Sequence, residues 1–183
     1  LAAVSTEAKN KALIGISDSL LANQEKILAA NKLDLKNAKA SGMEAYKLDR
    51  LTLTPERIKG IANDTRAVAI LPDPTGEIIE GRTLPNGLVI SKKRVPFGVI
   101  AAIYENRPNV TIDIASLCLK SGNATILRGG SEAIHSNTAL VGVIQEAVAK
   151  AGLPEGAVQF MENTDRALVD HLLKMNKYVD LVI

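Results

Sequence analysis

The residues best suited to chemistry lie in two short stretches. Residues 124–137, ATILRGGSEAIHSN, run from an apolar segment through Arg128 and the pair Gly129-Gly130 into a helix-like sequence that begins with Ser131 and Glu132. A turn of this kind is where α/β proteins often hold a phosphate, since backbone N–H groups and a guanidinium can converge on one anion. Neither G-x-G-x-x-G nor the Gly-Lys-Thr end of a P-loop is present, so the glycine pair alone also reads as ordinary turn chemistry. The second stretch, Tyr104-Glu105-Asn106-Arg107-Pro108-Asn109, follows another apolar segment. Asn106 and Asn109 read from residue type as candidate N-caps of the next helix, and Arg107 is a cation for a carboxylate or a phosphate.

Nucleophiles and metal ligands are scarce. Cys118 is the single cysteine, which makes neither an internal disulfide nor a zinc cluster. Its neighbours Ile114, Leu117 and Leu119 place it on a buried helix, where a thiol acts as a small hydrophobe with a raised pKa. His135 and His171 lack partners at ligand spacing, so no metal site is expected. With 22 Lys+Arg against 20 Asp+Glu and no run of one sign, nothing favours a nucleic-acid or membrane surface. No apolar run approaches a membrane span or a secretory signal, and a reducing cytoplasm is the expected setting.

The elements that must position these groups follow from periodicity. Val4, Ala8, Ala12, Ile16 and Leu20 predict an amphipathic helix from Leu1 to about Ala30, with a second helical piece around Leu33 to Lys39. Thr54-Pro55-Glu56 supplies an N-cap, a first-turn proline and an acid for a helix carrying Ile58, Ile61, Thr65 and Val68. Leu71-Pro72-Asp73-Pro74-Thr75-Gly76 breaks it. Residues 77–84 and 88–95 then flank Pro85-Asn86-Gly87 as a hairpin, which needs a sheet to pack on, its own or a partner subunit's. Beyond Pro96, strands at 99–104, 124–127, 157–161 and 178–183 alternate with helices at 111–120, 131–151 and 165–175. Short apolar strands separated by helices predict a doubly wound, Rossmann-like parallel sheet with ligands at the carboxyl ends of the strands. Leu1 begins inside a helical pattern and Ile183 closes a strand-like one, so the chain is expected to be a piece of something longer.

The stretches Val95-Pro96-Phe97-Gly98-Val99-Ile100, Tyr104 to Thr111, Ser116 to Asn123 and Ile126-Leu127-Arg128-Gly129-Gly130 together resemble the γ-glutamyl phosphate reductase family of the aldehyde dehydrogenase superfamily. The resemblance runs along essentially the whole chain and covers about the first half of the family's enzyme. It implies an α/β fold, a Rossmann-like parallel sheet of the aldehyde dehydrogenase type with N-terminal helices and a β-hairpin oligomerisation arm. The corresponding division is 1–70, 71–96 and 97–183. It also implies proline biosynthesis, in which NADPH reduces a thioester formed from γ-glutamyl phosphate and a catalytic cysteine, releasing phosphate and glutamate 5-semialdehyde. In the family that cysteine lies beyond the equivalent of Ile183.

Carried onto this sequence, the resemblance implies NADP(H) as cofactor, with Arg128 meeting the ribose 2′-phosphate. Ser131 stands where NAD-preferring relatives carry a glutamate, and Glu132 is displaced by one. Gly129 and Gly130 complete that turn, and Pro154 and Gly156, in Gly152-Leu153-Pro154-Glu155-Gly156, resemble a segment near the adenine, although a helix stop explains them equally. Asn106 or Asn109 would steady the oxyanion and Arg107 would bind substrate. A homo-oligomer formed through the hairpin and glutamate 5-kinase are the implied partners. A second reading stays open, a non-catalytic α/β nucleotide-binding or assembly module.

Overall fold

The computed structural model describes residues 1–183. Helix α1 (Thr6–Ala22) starts at Ser5, whose Oγ accepts the Ala8 N–H at 3.2 Å. The single helix expected to about Ala30 is instead divided at Asn23. Its backbone N–H and its side-chain Nδ2 both donate to the Ser19 carbonyl, closing α1, and α2 (Gln24–Ala40) starts afresh. An asparagine amide that competes for a terminal carbonyl is a local reason to stop. Helix α3 (Ala45–Leu51), absent from the sequence reading, is seven residues long and buries only Leu51. Helix α4 (Pro55–Ile70) begins as expected, with Thr54 Oγ1 accepting the Arg57 N–H at 3.2 Å and Pro55 in the first turn.

Strands β1 (Ile78–Thr83) and β2 (Val89–Lys93) form an antiparallel ribbon turned through Gly87 at φ 84°. They pair only with each other and every residue in both is exposed, so no sheet of this chain receives them. The ribbon's root is fixed by Lys9. Its side chain, 0% exposed, donates to Asp73 at 3.0 Å and to Thr75 Oγ1 at 3.0 Å, tying α1 to the 71–76 turn.

The remaining chain alternates as β3 (Val99–Ile103), α5 (Pro108–Lys120), β4 (Ala124–Arg128), α6 (Ile134–Lys150), β5 (Val158–Phe160), α7 (Ala167–Leu173) and β6 (Leu181–Val182). These strands are all parallel in the order β5-β4-β3-β6. Their side chains alternate between two faces. Ala102, Leu127 and Val158 join a core with Leu13, Ile58, Ile112 and Ile144, whereas Ala101 meets Leu172 and Val179. The larger core is continuous from α1 and α4 through α5 and α6 to the sheet. The order of strand addition reverses at β3, with β4 and β5 to one side and β6 to the other, so the loop after β3 borders the crevice where such sheets bind ligands. No helix is long and apolar enough to cross a membrane.

Candidate functional site

The turn from β4 to α6 is held from a distance by α2. Asp34, 1% exposed, accepts the Ser136 N–H at 2.7 Å, the Ser136 hydroxyl at 2.6 Å and the His135 N–H at 3.1 Å. Asn31 donates to Ser136 Oγ at 3.0 Å and to the Leu51 carbonyl at 2.8 Å, and accepts the Leu53 N–H at 2.8 Å. These contacts place a protein carboxylate on first-turn amides of α6. Asp34 therefore occupies the His135 and Ser136 amides at the start of α6, so these two donors already have an anion.

Arg128 ends β4 half-buried, and its Nη2 donates to the Thr164 carbonyl at 3.2 Å. It enters no ion pair, so its other donors are free, and Ser131 and Glu132 stand exposed beside it. The glycine pair is explained by packing. A Cβ on Gly129 would lie 2.1 Å from Asn137 Nδ2 and 3.1 Å from the Tyr104 ring, and one on Gly130 would lie 3.2 Å from the Asn106 N and 2.9 Å from Glu132. Asn137 in turn accepts from Thr111 Oγ1 at 2.9 Å, and the Thr111 and Tyr104 hydroxyls are 2.7 Å apart. Burial pushes the Tyr104 phenol up to about 12 despite the Thr111 hydrogen bond, so it stays protonated.

The two asparagines face different hollows. Asn106 Nδ2 donates to the Lys47 carbonyl at 3.3 Å, in a hollow of about 300 Å³ that also contains Met43, Arg50 and Glu132. Asn109 lies in the first turn of α5, donates to Asp113 at 3.1 Å, and faces a cleft of about 330 Å³ with Arg107, Arg50, Arg57 and Asp64. Neither caps α5. That place is taken by Arg107, without a side-chain cap bond. Arg50, Arg57, Asp64 and Asp113 were missed by sequence reading, although the polar stripe Arg57, Asp64 on an otherwise core-facing helix was a usable signal.

Pro154 and Gly156 require a correction. They precede β5 and, with Thr125 opposite Val158 in the parallel register, stand at the amino ends of the strands, away from Arg128 at the carboxyl end. The segment that does meet Arg128 follows β5, at Thr164. Cys118 is buried in α5, and desolvation raises its thiol pKa against a lowering hydrogen bond with Thr125, which suits packing rather than attack. His135 and His171 are exposed on separate helices.

A helix-flanked parallel sheet with its reversal at β3 and polar groups gathered beyond β3 and β4 is the aldehyde dehydrogenase type of fold. The aldehyde dehydrogenase family model matches residues 4–183, and the chain belongs to that family. Over all 183 residues it is 61% identical to γ-glutamyl phosphate reductase of Dehalococcoides mccartyi and 54% identical to that of Escherichia coli, spanning 43% and 44% of their lengths. The chain thus spans less than half the length of these relatives. The crystal structure of γ-glutamyl phosphate reductase from Thermotoga maritima matches with a TM-score of 0.97 at 42% identity, over 98% of this chain and 44% of that one. The Saccharomyces cerevisiae structure of the same name matches with a TM-score of 0.90 at 34% identity, over 98% and 46%.

Proposed function

We propose that the chain is the cofactor-binding part of an NADPH-dependent reductase that converts γ-glutamyl phosphate to glutamate 5-semialdehyde and phosphate in proline biosynthesis. The observation that carries this reading is the 61% identity along the entire chain to a γ-glutamyl phosphate reductase. On this reading residues 1–70 form a helical segment, 71–96 an arm for association between subunits, and 97–183 the cofactor unit.

When bound, the reduced nicotinamide supplies a hydride. The chain's own residues bind and orient. Arg128 has free guanidinium donors and no acidic partner, which fits a ribose 2′-phosphate, and the exposed Ser131 adds a hydroxyl without a charge to repel it. The α6 amides do not fit a pyrophosphate, since Asp34 already holds them. Asn106, on the loop after β3, is the better oxyanion donor. Its amide has only weak partners, a long hydrogen bond to the Lys47 carbonyl at 3.3 Å and a contact with Met43 Sδ at 3.8 Å, whereas Asn109 is tied to the Asp113 carboxylate. The reacting sulfur is assigned to polypeptide C-terminal to Ile183 in the parent protein, because Cys118 is buried and its thiolate disfavoured.

The test is phosphate-dependent reduction of NADP⁺ by the parent protein with glutamate 5-semialdehyde, the reverse reaction. Turnover with NADP⁺ supports the reading, and no turnover, or turnover independent of phosphate, overturns it.

A further inference from the structure

A groove between α4 and α5 carries charges that the rest of the chain leaves unused. The two helices contribute in step along it. Arg57 and Gly60 lie with Arg107 and Asn109 in one cleft, Asp64 borders both this cleft and the next, and Asp113 and Ser116 follow with Val68. The second cleft has a volume of about 270 Å³.

Several of the lining charges are already spent. Arg57 donates to Asp49 at 2.7 Å and to the Thr52 carbonyl at 2.8 Å, and Arg50 lies 3.6 Å from Glu105. Three are not. Arg107 and Asp64 enter no ion pair, and Asp113 has only the Asn109 amide. Burial raises the Asp113 carboxyl pKa; the Asn109 hydrogen bond opposes this, and the charge of Asp64 adds to it. That is the behaviour of a carboxylate without a cation. Independently, Ser116 on the same wall is 1% exposed and its hydroxyl has no hydrogen-bond partner. A buried hydroxyl without a partner is costly, and its position in this groove points to a polar ligand group.

One guanidinium followed by two carboxylates and a hydroxyl complements a zwitterion better than it complements a phosphate, which the two carboxylates would repel. We propose that this groove receives the α-amino-acid end of the substrate, with Arg107 pairing with the α-carboxylate and Asp64, Asp113 and Ser116 holding the α-ammonium. The assignment rests on the reading above, that the substrate is a γ-glutamyl compound. It makes Asp64 and Asp113 specificity residues for the amino group.

The parent enzyme can be assayed in the reverse direction with glutamate 5-semialdehyde and with 5-oxopentanoate, which lacks only the α-amino group. Wild type should prefer the amino-bearing aldehyde by about tenfold or more in kcat/KM, the scale of one charge-assisted hydrogen bond. Asp113→Asn should shrink that preference to within about twofold by raising KM with kcat kept. Arg107→Gln should weaken both substrates alike, because both carry the carboxylate. Asp64→Asn provides a second variant, and melting temperatures report folding for all three. A wild type without preference, or a preference intact in both aspartate variants, overturns the assignment while leaving the function standing. Turnover of neither aldehyde overturns the function and the assignment together.

Discussion

The carboxylate of Asp34 on α2 accepts both the N–H and the hydroxyl of Ser136 on α6, at 2.7 and 2.6 Å, across 102 residues of sequence. The N-terminal helices therefore brace the turn that carries Arg128. Asp34→Ala would leave buried first-turn donors of α6 without an acceptor, and a loss of about 2–4 kcal/mol is expected. Asp34→Asn, which keeps one acceptor oxygen, should lose less. Chemical denaturation of the variants measures both.

Acid should weaken the root of the hairpin. Burial raises the Asp73 pKa, but hydrogen bonds from the Thr75 N–H, Lys9 and Thr6 outweigh it and bring the carboxyl from the ordinary 3.8 down to about 2. A folded-state pKa below the unfolded one gives stability that is present above pH 3.8 and lost as pH falls towards 2. The amount is about 2 kcal/mol. Asp73→Asn should lose it at neutral pH and flatten the stability profile across that window.

Gly129→Ala should destabilise by about 1–3 kcal/mol, since the new methyl would meet Asn137 Nδ2 at 2.1 Å within a buried hydrogen-bonded set. A double-mutant cycle with Asn137→Ala checks the cause. The two changes should cost less together than the sum of their separate effects.

The exposed ribbon presents Ile78 and Ile79 to solvent at an irregularity of the β1–β2 register, 64% and 51% exposed. If it serves association of the parent protein, Ile78→Lys or Ile79→Lys should yield a smaller species in sedimentation analysis. Unchanged mass in both variants would remove the ribbon from any interface.

Much of the architecture was legible because it is local. The Thr54-Pro55 helix start, the Pro85-Asn86-Gly87 turn and the strand-helix alternation after Pro96 each depend on residues close in sequence, and the structure contains all three. The break at Asn23 was hidden because the apolar period runs through it while a single side-chain amide decides the stop. The brace from Asp34 and Asn31 could not be seen, since its partners lie about a hundred residues away. Pro154 and Gly156 were grouped with Arg128 by resemblance, and only the parallel register shows them to be at opposite ends of their strands. For the site, Arg107 and the asparagines were visible as residue types. The pairing of Asp64 with Asp113 was not, because Asp64 reaches Asp113 only where α4 packs on α5.

The most direct measurement is coenzyme binding by the parent protein, followed by the fluorescence of the reduced nicotinamide, in wild type and Arg128→Ala. NADPH should bind about ten- to a hundredfold more weakly to the variant, with NADH affinity unchanged, because the guanidinium is assigned to the 2′-phosphate that NADH lacks. Equal weakening of both coenzymes, or no weakening of either, would contradict that assignment.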